Sequence, residues 1–197
     1  MNNYTTTLQY ILDRFSPSIY QTYPIALKGL TREDLASLFY ELGYKQGAEI
    51  GVAKGIFSRI LCEKNPGLES LICVDLWRDE KMYEEAIRTL DGLPCTLVRN
   101  SSLEASKQVK DGSLDFVYID AKHSLPQVTQ DIEIWSPKVR VGGIVSGHDY
   151  KINIRRNFGV VEAVDSYISA NKISHLFTVG GNAPARRWPS WFFCKGA

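Results

Sequence analysis

Residues 115–150 read DFVYIDAKHSLPQVTQDIEIWSPKVRVGGIVSGHDY, and their pattern decides the fold. One apolar run ends in Asp120, a stretch with a helical apolar stripe follows, and a second apolar run ends in His148 and Asp149. Short runs that are apolar throughout fit strands buried on both faces, as in a parallel sheet connected by helices. Two such strands side by side deliver Asp120, the His148–Asp149 pair and the nearby His123 to one edge of the sheet. Ligands of open α/β sheets bind beyond the carboxyl ends of the strands, so chemistry is expected here.

The same alternation extends over the chain from Gln46. Residues 48–52 predict a first strand, and 55–65 a helix stopped by Pro66 and Gly67. Further strands are expected over 71–76, 95–98, 114–119 and 143–146. The helices between them run through Met82, Ala86 and Leu90, over 103–109 and over 128–139, with another over 160–170. Two closing apolar runs, 175–179 and 191–194, have only the loop GGNAPARRWPS between them. Parallel neighbours need a crossover, so this missing helix implies an antiparallel last strand. The expected fold is a Rossmann-like, doubly wound, mostly parallel α/β sheet of seven strands over residues 46–197.

Residues 1–45 differ in character. Leu8, Ile11, Leu12 and Phe15 recur at helical spacing until Pro17, and Thr31 with Asp34 caps a second helix carrying Leu35, Leu38 and Phe39. These form a helical cap that covers one face of the sheet or the mouth of the site, with a surface free to pair protomers in a homodimer.

Composition removes other classes. With 197 residues and a net charge of +1, the chain lacks the basic footprint of a nucleic-acid binder. The pairs Arg155–Arg156 and Arg186–Arg187 read as solvated surface. Cys62, Cys73, Cys95 and Cys194 show no CxxC spacing and read as reduced thiols of a cytoplasmic protein. The start is not that of a secretory signal, and no segment approaches the roughly 18 apolar residues that span a bilayer.

The first strand runs into Glu49-Ile50-Gly51-Val52-Ala53-Lys54-Gly55 and then straight into a helix. Glycines here permit a sharp turn and close approach of a ligand. Twenty-four residues beyond Gly51, the second strand ends in Asp75, placed to accept hydrogen bonds from ribose hydroxyls. The G-x-G-x-x-G spacing of dinucleotide folds is absent, and Glu49 would repel a pyrophosphate but favour an amine and a sulfonium.

These segments, EIGVAKG, VDLW, NSSLEA, DFVYIDAKHS and GGIVSGHDY, resemble the class I S-adenosylmethionine-dependent methyltransferases over about residues 46–150. The nearest branch is the small macrocin-type O-methyltransferases, with catechol O-methyltransferase further off. The resemblance implies that Glu49, Gly51 and Gly55 line the methionine part of S-adenosyl-L-methionine. It implies further that Asp75 holds the ribose, that Asn100, Ser101 and Ser102 border the adenine, and that Asp120 faces the methyl-transfer region. Ala53 stands where the family often has a glycine.

A hydroxyl acceptor on a small molecule, such as a sugar or natural product, must lose its proton to attack a sulfonium. His123 or His148 would be the base, with a pKa near the working pH. Catechol-type relatives place Mg²⁺ on aspartates matching Asp120 and Asp149, with an adjacent Asn; Tyr150 replaces that Asn, so a third protein ligand is missing. Mg²⁺ or another divalent cation on Asp120 and Asp149 is the expectation. His148 and Asp149 would point to opposite faces unless the strand has ended. Asp131 and Glu133 read as a solvated helix face, while Trp77, Trp135, Trp188 and Tyr150 read as packing. Tyr150 and the turn RRNFG (155–159) are also placed to close over a substrate. Two other readings are an NAD-dependent oxidoreductase and a non-catalytic S-adenosylmethionine-binding module.

Overall fold

The computed structural model describes residues 6–17, 23–151, 159–180 and 188–196. Arg155, Arg156, Arg186, Arg187 and most of the two loops that carry them lie outside these. The elements in chain order are α1 (Thr7–Phe15), β1 (Ile25–Ala26), α2 (Arg32–Glu41), β2 (Gln46–Ile50), α3 (Ile56–Lys64) and β3 (Ser70–Asp75). They continue with α4 (Glu80–Leu90), β4 (Cys95–Arg99), α5 (Ser102–Ser106), β5 (Leu114–Ile119) and α6 (Leu125–Trp135). The last are β6 (Val139–Gly147), α7 (Val160–Ala170), β7 (Phe177–Val179) and β8 (Ser190–Cys194).

The strands form one sheet in the order β1-β7-β8-β6-β5-β2-β3-β4, in which β8 runs antiparallel to both β6 and β7. The antiparallel last strand is as the missing crossover implies. The sheet has eight strands rather than seven because Ile25 and Ala26 pair with Phe177 and Thr178. A two-residue strand is too short to show any periodicity, so residues 1–45 read as purely helical. A second difference lies after α6. The helix ends at Trp135, Ser136–Lys138 form a 3₁₀ turn around Pro137, and Val139 already begins β6.

Each face of the sheet carries its own core. Ile11, Leu35, Phe39, Phe57, Leu61 and Leu90 pack with Phe116 and Tyr118 on the face of α1 to α4. Val128, Ile132, Trp135, Val160 and Val164 pack with Ile50, Val117 and Val145 on the other. The N-terminal helices thus cover one face. A Thr31–Asp34 capping box opens α2, with Asp34 Oδ2 accepting from the Thr31 amide at 2.7 Å.

Close packing fixes one glycine in β2. A Cβ on Gly47 would lie 2.2 Å from the Phe116 ring, which is itself stacked 4.2 Å from Phe39. Gly47→Ala should therefore cost about 1–3 kcal/mol by overpacking. Urea denaturation checks this as a lower midpoint with unchanged m-value.

Candidate active site

The sheet reverses its order between β2 and β5, and the crevice beyond their carboxyl ends is the site. The Asp120 amide donates to the Ile50 carbonyl at 2.7 Å, drawing the two strand ends together. Gly51 turns away there at φ +94, and a Cβ on it would stand 2.3 Å from the Asp120 carbonyl oxygen. Only glycine meets both demands.

A cavity of about 560 Å³ opens from this point. Gly51, Asp75, Asn100, Ser101, Ser102 and Asp120, far apart in sequence, all line it. A contiguous hollow of about 310 Å³ shares Gly51, Ala53 and Asp120 and adds Glu49, Arg32 and Phe57. Gly55 sits just behind, at φ +79 against Leu90, where it starts α3. Another cavity of about 550 Å³ lies at the opposite end of the sheet, near Val141 and Lys195, away from these carboxylates and imidazoles.

Asp75 is held by the loop it faces. Its Oδ2 accepts from the Ala53 amide and its Oδ1 from the Trp77 amide, each at 2.9 Å, while the Trp77 indole donates to the Ala53 carbonyl at 2.7 Å. Ala53 takes φ +49, a conformation glycine adopts without penalty. The family's glycine position is thus retained in backbone shape, pinned by Asp75 and the buried Trp77.

At the reacting end β6 stops at Gly147, and Asp149 has φ +60. Strand alternation no longer applies, and the two side chains meet instead of diverging: His148 Nδ1 lies 2.7 Å from Asp149 Oδ1. His123 Nε2 lies 3.0 Å from Asp149 Oδ2 and 3.5 Å from Asp120 Oδ1. The His123 loop is fixed by its carbonyl, which accepts from the Gly159 amide at 2.9 Å. Hydrogen bonds to Asp120 and Asp149 raise the His123 pKa to about 9, so this imidazole is a cation at neutral pH. That corrects the expectation of a value near the working pH. Burial would raise Asp149, but hydrogen bonds from His123 and His148 hold it well below the usual carboxylate range. Asp120, His123 and Asp149 offer ligand atoms within 4.8 Å of one another, a spacing that a metal ion could bridge once the imidazole is neutral.

Residues 48–150 match a family model described as a methyltransferase domain. The chain belongs to that family. A solved structure assigned as a caffeoyl-CoA O-methyltransferase from Staphylococcus aureus superposes with a TM-score of 0.65 at 17% identity, covering 96% of this chain and 90% of its own. An N-methyltransferase from Bradyrhizobium japonicum gives 0.60 at 13%, covering 84% and 95%. An uncharacterized protein of Sinorhizobium fredii is 33% identical over 64 residues, 32% of this chain but 7% of that protein, so the chain spans a small part of that relative. The family match and the fold agree: residues 48–150 are a methyltransferase domain, on a fold shared with solved methyltransferase structures. No helix among the described residues is long and apolar enough to cross a membrane.

Sequence reading missed three features of the methyltransferase site. Arg32, at the start of α2, stacks on Phe57 and reaches Asp120 Oδ2 at 3.5 Å, which brings the N-terminal segment to the mouth. Tyr150 does not hang over the opening; its hydroxyl donates to Asp165 on α7 at 2.5 Å. Asp131 is fully buried and lines the cavity, contrary to its reading as solvated, whereas Glu133 is exposed. Val128, Asp131, Ile132 and Trp135 share one helical stripe, so the spacing did carry that signal.

Glu49 is buried on β2 and accepts from Ser58 Oγ. Burial pushes its pKa up to about 8 against the opposing Ser58 bond. The neutral acid's stabilisation is fully present below the ordinary carboxylate range and is lost as pH rises through 8. Without ligand, the wild-type chain should lose on the order of a few kcal/mol between pH 5 and 9 relative to Glu49→Gln. Paired urea melts across that range check the difference.

Proposed function

We propose that this methyltransferase transfers a methyl group from S-adenosyl-L-methionine to a hydroxyl of a small molecule. The observation that carries it is the crevice lined by Gly51, Asp75, Asn100–Ser102 and Asp120, with Asp120 on its wall also 3.5 Å from His123 of the His123–Asp149–His148 cluster. The cofactor supplies an electrophilic methyl on a sulfonium. Glu49, Gly51 and Gly55 border its methionine part, with Glu49 ionising against the cationic amine. Asp75 accepts from the ribose hydroxyls, and Asn100, Ser101 and Ser102 border the adenine. Residues 46–197 form the catalytic domain of a cytoplasmic enzyme, and residues 1–45 cap its mouth.

O-methylation is favoured by the chemistry of the reacting end. An amine attacks with its own lone pair, whereas a hydroxyl must give up a proton, and two imidazoles beside two carboxylates serve that need. His148 is oriented as a base is: Nδ1 rests on Asp149, which leaves Nε2 to take the proton. His123 carries positive charge between Asp120 and Asp149 and is the alternative base once it loses its proton. Asp120 and Asp149, with His123 beside them, suit a divalent cation, and the imidazole admits Mn²⁺, Fe²⁺ or Zn²⁺ as well as Mg²⁺. Such an ion would stabilise an alkoxide.

Calorimetric titration with S-adenosylhomocysteine should give micromolar binding, and NAD none. Asp75→Ala should weaken that binding about tenfold or more by removing a charged hydrogen-bond partner. Binding of NAD alone would sink the reading. With a hydroxylated acceptor in hand, His148→Ala should lower turnover about 10²-fold or more while S-adenosylhomocysteine binding persists. Unchanged turnover in both His148→Ala and His123→Ala would remove the imidazoles from the mechanism.

A further inference from the structure

Two thiols meet on the face of the sheet that α1 to α4 cover, at a place the chemistry above does not use. Cys62 lies on α3 and Cys95 opens β4, 33 residues apart, with their sulfurs 3.5 Å from each other. Cys62 is buried, whereas Cys95 is partly exposed. A disulfide holds its sulfurs about 2.05 Å apart, so bonding needs them roughly 1.5 Å closer, within reach of rotation about the two Cα–Cβ bonds. The other cysteines are placed differently. Cys73 also approaches Cys95, but it is fully buried, and its thiol donates at 3.5 Å to the Ser58 hydroxyl that bonds Glu49. Cys194 lies on β8, separated from β3 by β6, β5 and β2.

The contact gives the two thiols different parts. It raises the pKa of Cys62 and lowers that of Cys95, so the Cys62 thiol donates and the Cys95 sulfur accepts. Burial raises both, and the nearby Cys73 raises Cys95 as well, leaving it at about 12. Cys95 is thus the thiol that ionises first and that solvent reaches, while Cys62 stands behind it with a second sulfur. An S–H···S contact is weak, and packing alone needs no sulfur at either position. What facing sulfurs add over two apolar side chains is the capacity to bond. The place matters too: β4 is an edge strand, paired with β3 alone, and it runs on to Asn100 in the wall of the crevice.

We propose that Cys62 and Cys95 form a reversible disulfide when the chain meets a peroxide, fastening the edge strand to α3. The Cys95 thiolate attacks one oxygen of hydrogen peroxide; the O–O bond breaks, Cys95 becomes a sulfenic acid, and the hydroxide released takes up a proton. The Cys62 sulfur then attacks the Cys95 sulfur, the S–O bond breaks, and hydroxide leaves with the Cys62 proton as water. Two thiols and one hydrogen peroxide become one disulfide and two waters, the two electrons passing from sulfur to the peroxide. A thiol reductant reverses the bond by exchange.

The test treats the reduced full chain with hydrogen peroxide, without denaturant, and follows it by thiol counting and peptide mass spectrometry. Free thiols should fall from four to two, the mass should drop by about 2 Da, and one cross-linked peptide pair should contain Cys62 and Cys95. Dithiothreitol should reverse all three. The melting temperature should rise by about 4 °C or more, because the closed loop restricts the unfolded chain. Cys62→Ser and Cys95→Ser should each abolish the link and the rise, while Cys194→Ala keeps both; the wild-type chain alone decides where a variant fails to fold. Four thiols that persist under excess peroxide, a Cys95 that advances to sulfinic acid unlinked, or a link to Cys73 or between two chains overturns the proposal. A Cys62–Cys95 link that leaves the melting temperature unchanged overturns the fastening.

Discussion

The structure depends on the contact between the carboxyl ends of β2 and β5. One hydrogen bond, from the Asp120 amide to the Ile50 carbonyl, brings the strand ends together where the sheet reverses its order. The glycine at 51 then has neither room for a Cβ nor a φ that other residues adopt readily. Because the chain leaves β2 and β5 in different directions from this point, a crevice opens above it. Asp75 and Trp77 hold the departing loop at Ala53, so the crevice is braced before any ligand arrives. The methyl group of Ala53 in a left-handed conformation costs about 1 kcal/mol, which two hydrogen bonds made by Ala53 itself offset.

Burial and pairing drive the acids of this crevice apart. Glu49 is pushed toward neutrality by burial, while Asp149 is held ionised by His123 and His148. Asp120 and Asp149 in turn raise the His123 pKa and favour its protonated form. Carboxylates on one sheet edge thus occupy opposite protonation states, because one lies behind the turn and the other beside two imidazoles. Acids perturbed in opposite directions in one crevice mark a functional-site candidate, since such shifts cluster where chemistry needs them.

What was legible in the sequence follows from range. Strands buried on both faces announce themselves as short apolar runs, and the polar residue that ends each run is by geometry at the sheet edge. Asp75, Asp120 and the His148–Asp149 pair could therefore be placed without any tertiary information. Asp131 was legible in principle, since it falls three residues after Val128 on the stripe that Ile132 and Trp135 complete, but its charge masked its position. Arg32 and the β1 pairing were not legible: each depends on a contact between segments about 90 or more residues apart, with no local pattern to mark it. The convergence of His148 and Asp149 depended on where β6 ends, and strand ends are set by tertiary pairing rather than by local preference.

The N-terminal segment is attached to both sides of the reacting end, which bears on how an acceptor is chosen. Arg32 reaches Asp120 from α2, and the Tyr23 hydroxyl donates to Asp165 at 3.2 Å, the carboxylate that also receives Tyr150. Asp165 therefore joins the segment after α1 to the residue that follows the His148–Asp149 pair. The crevice at Gly51, Asp75 and Asp120 is built from strand ends, whose positions the sheet fixes, whereas Arg32 reaches its mouth from the cap. The first can stay constant while the second varies. A fold of this kind can thus keep one methyl donor and change acceptors by altering residues that contribute little to the core.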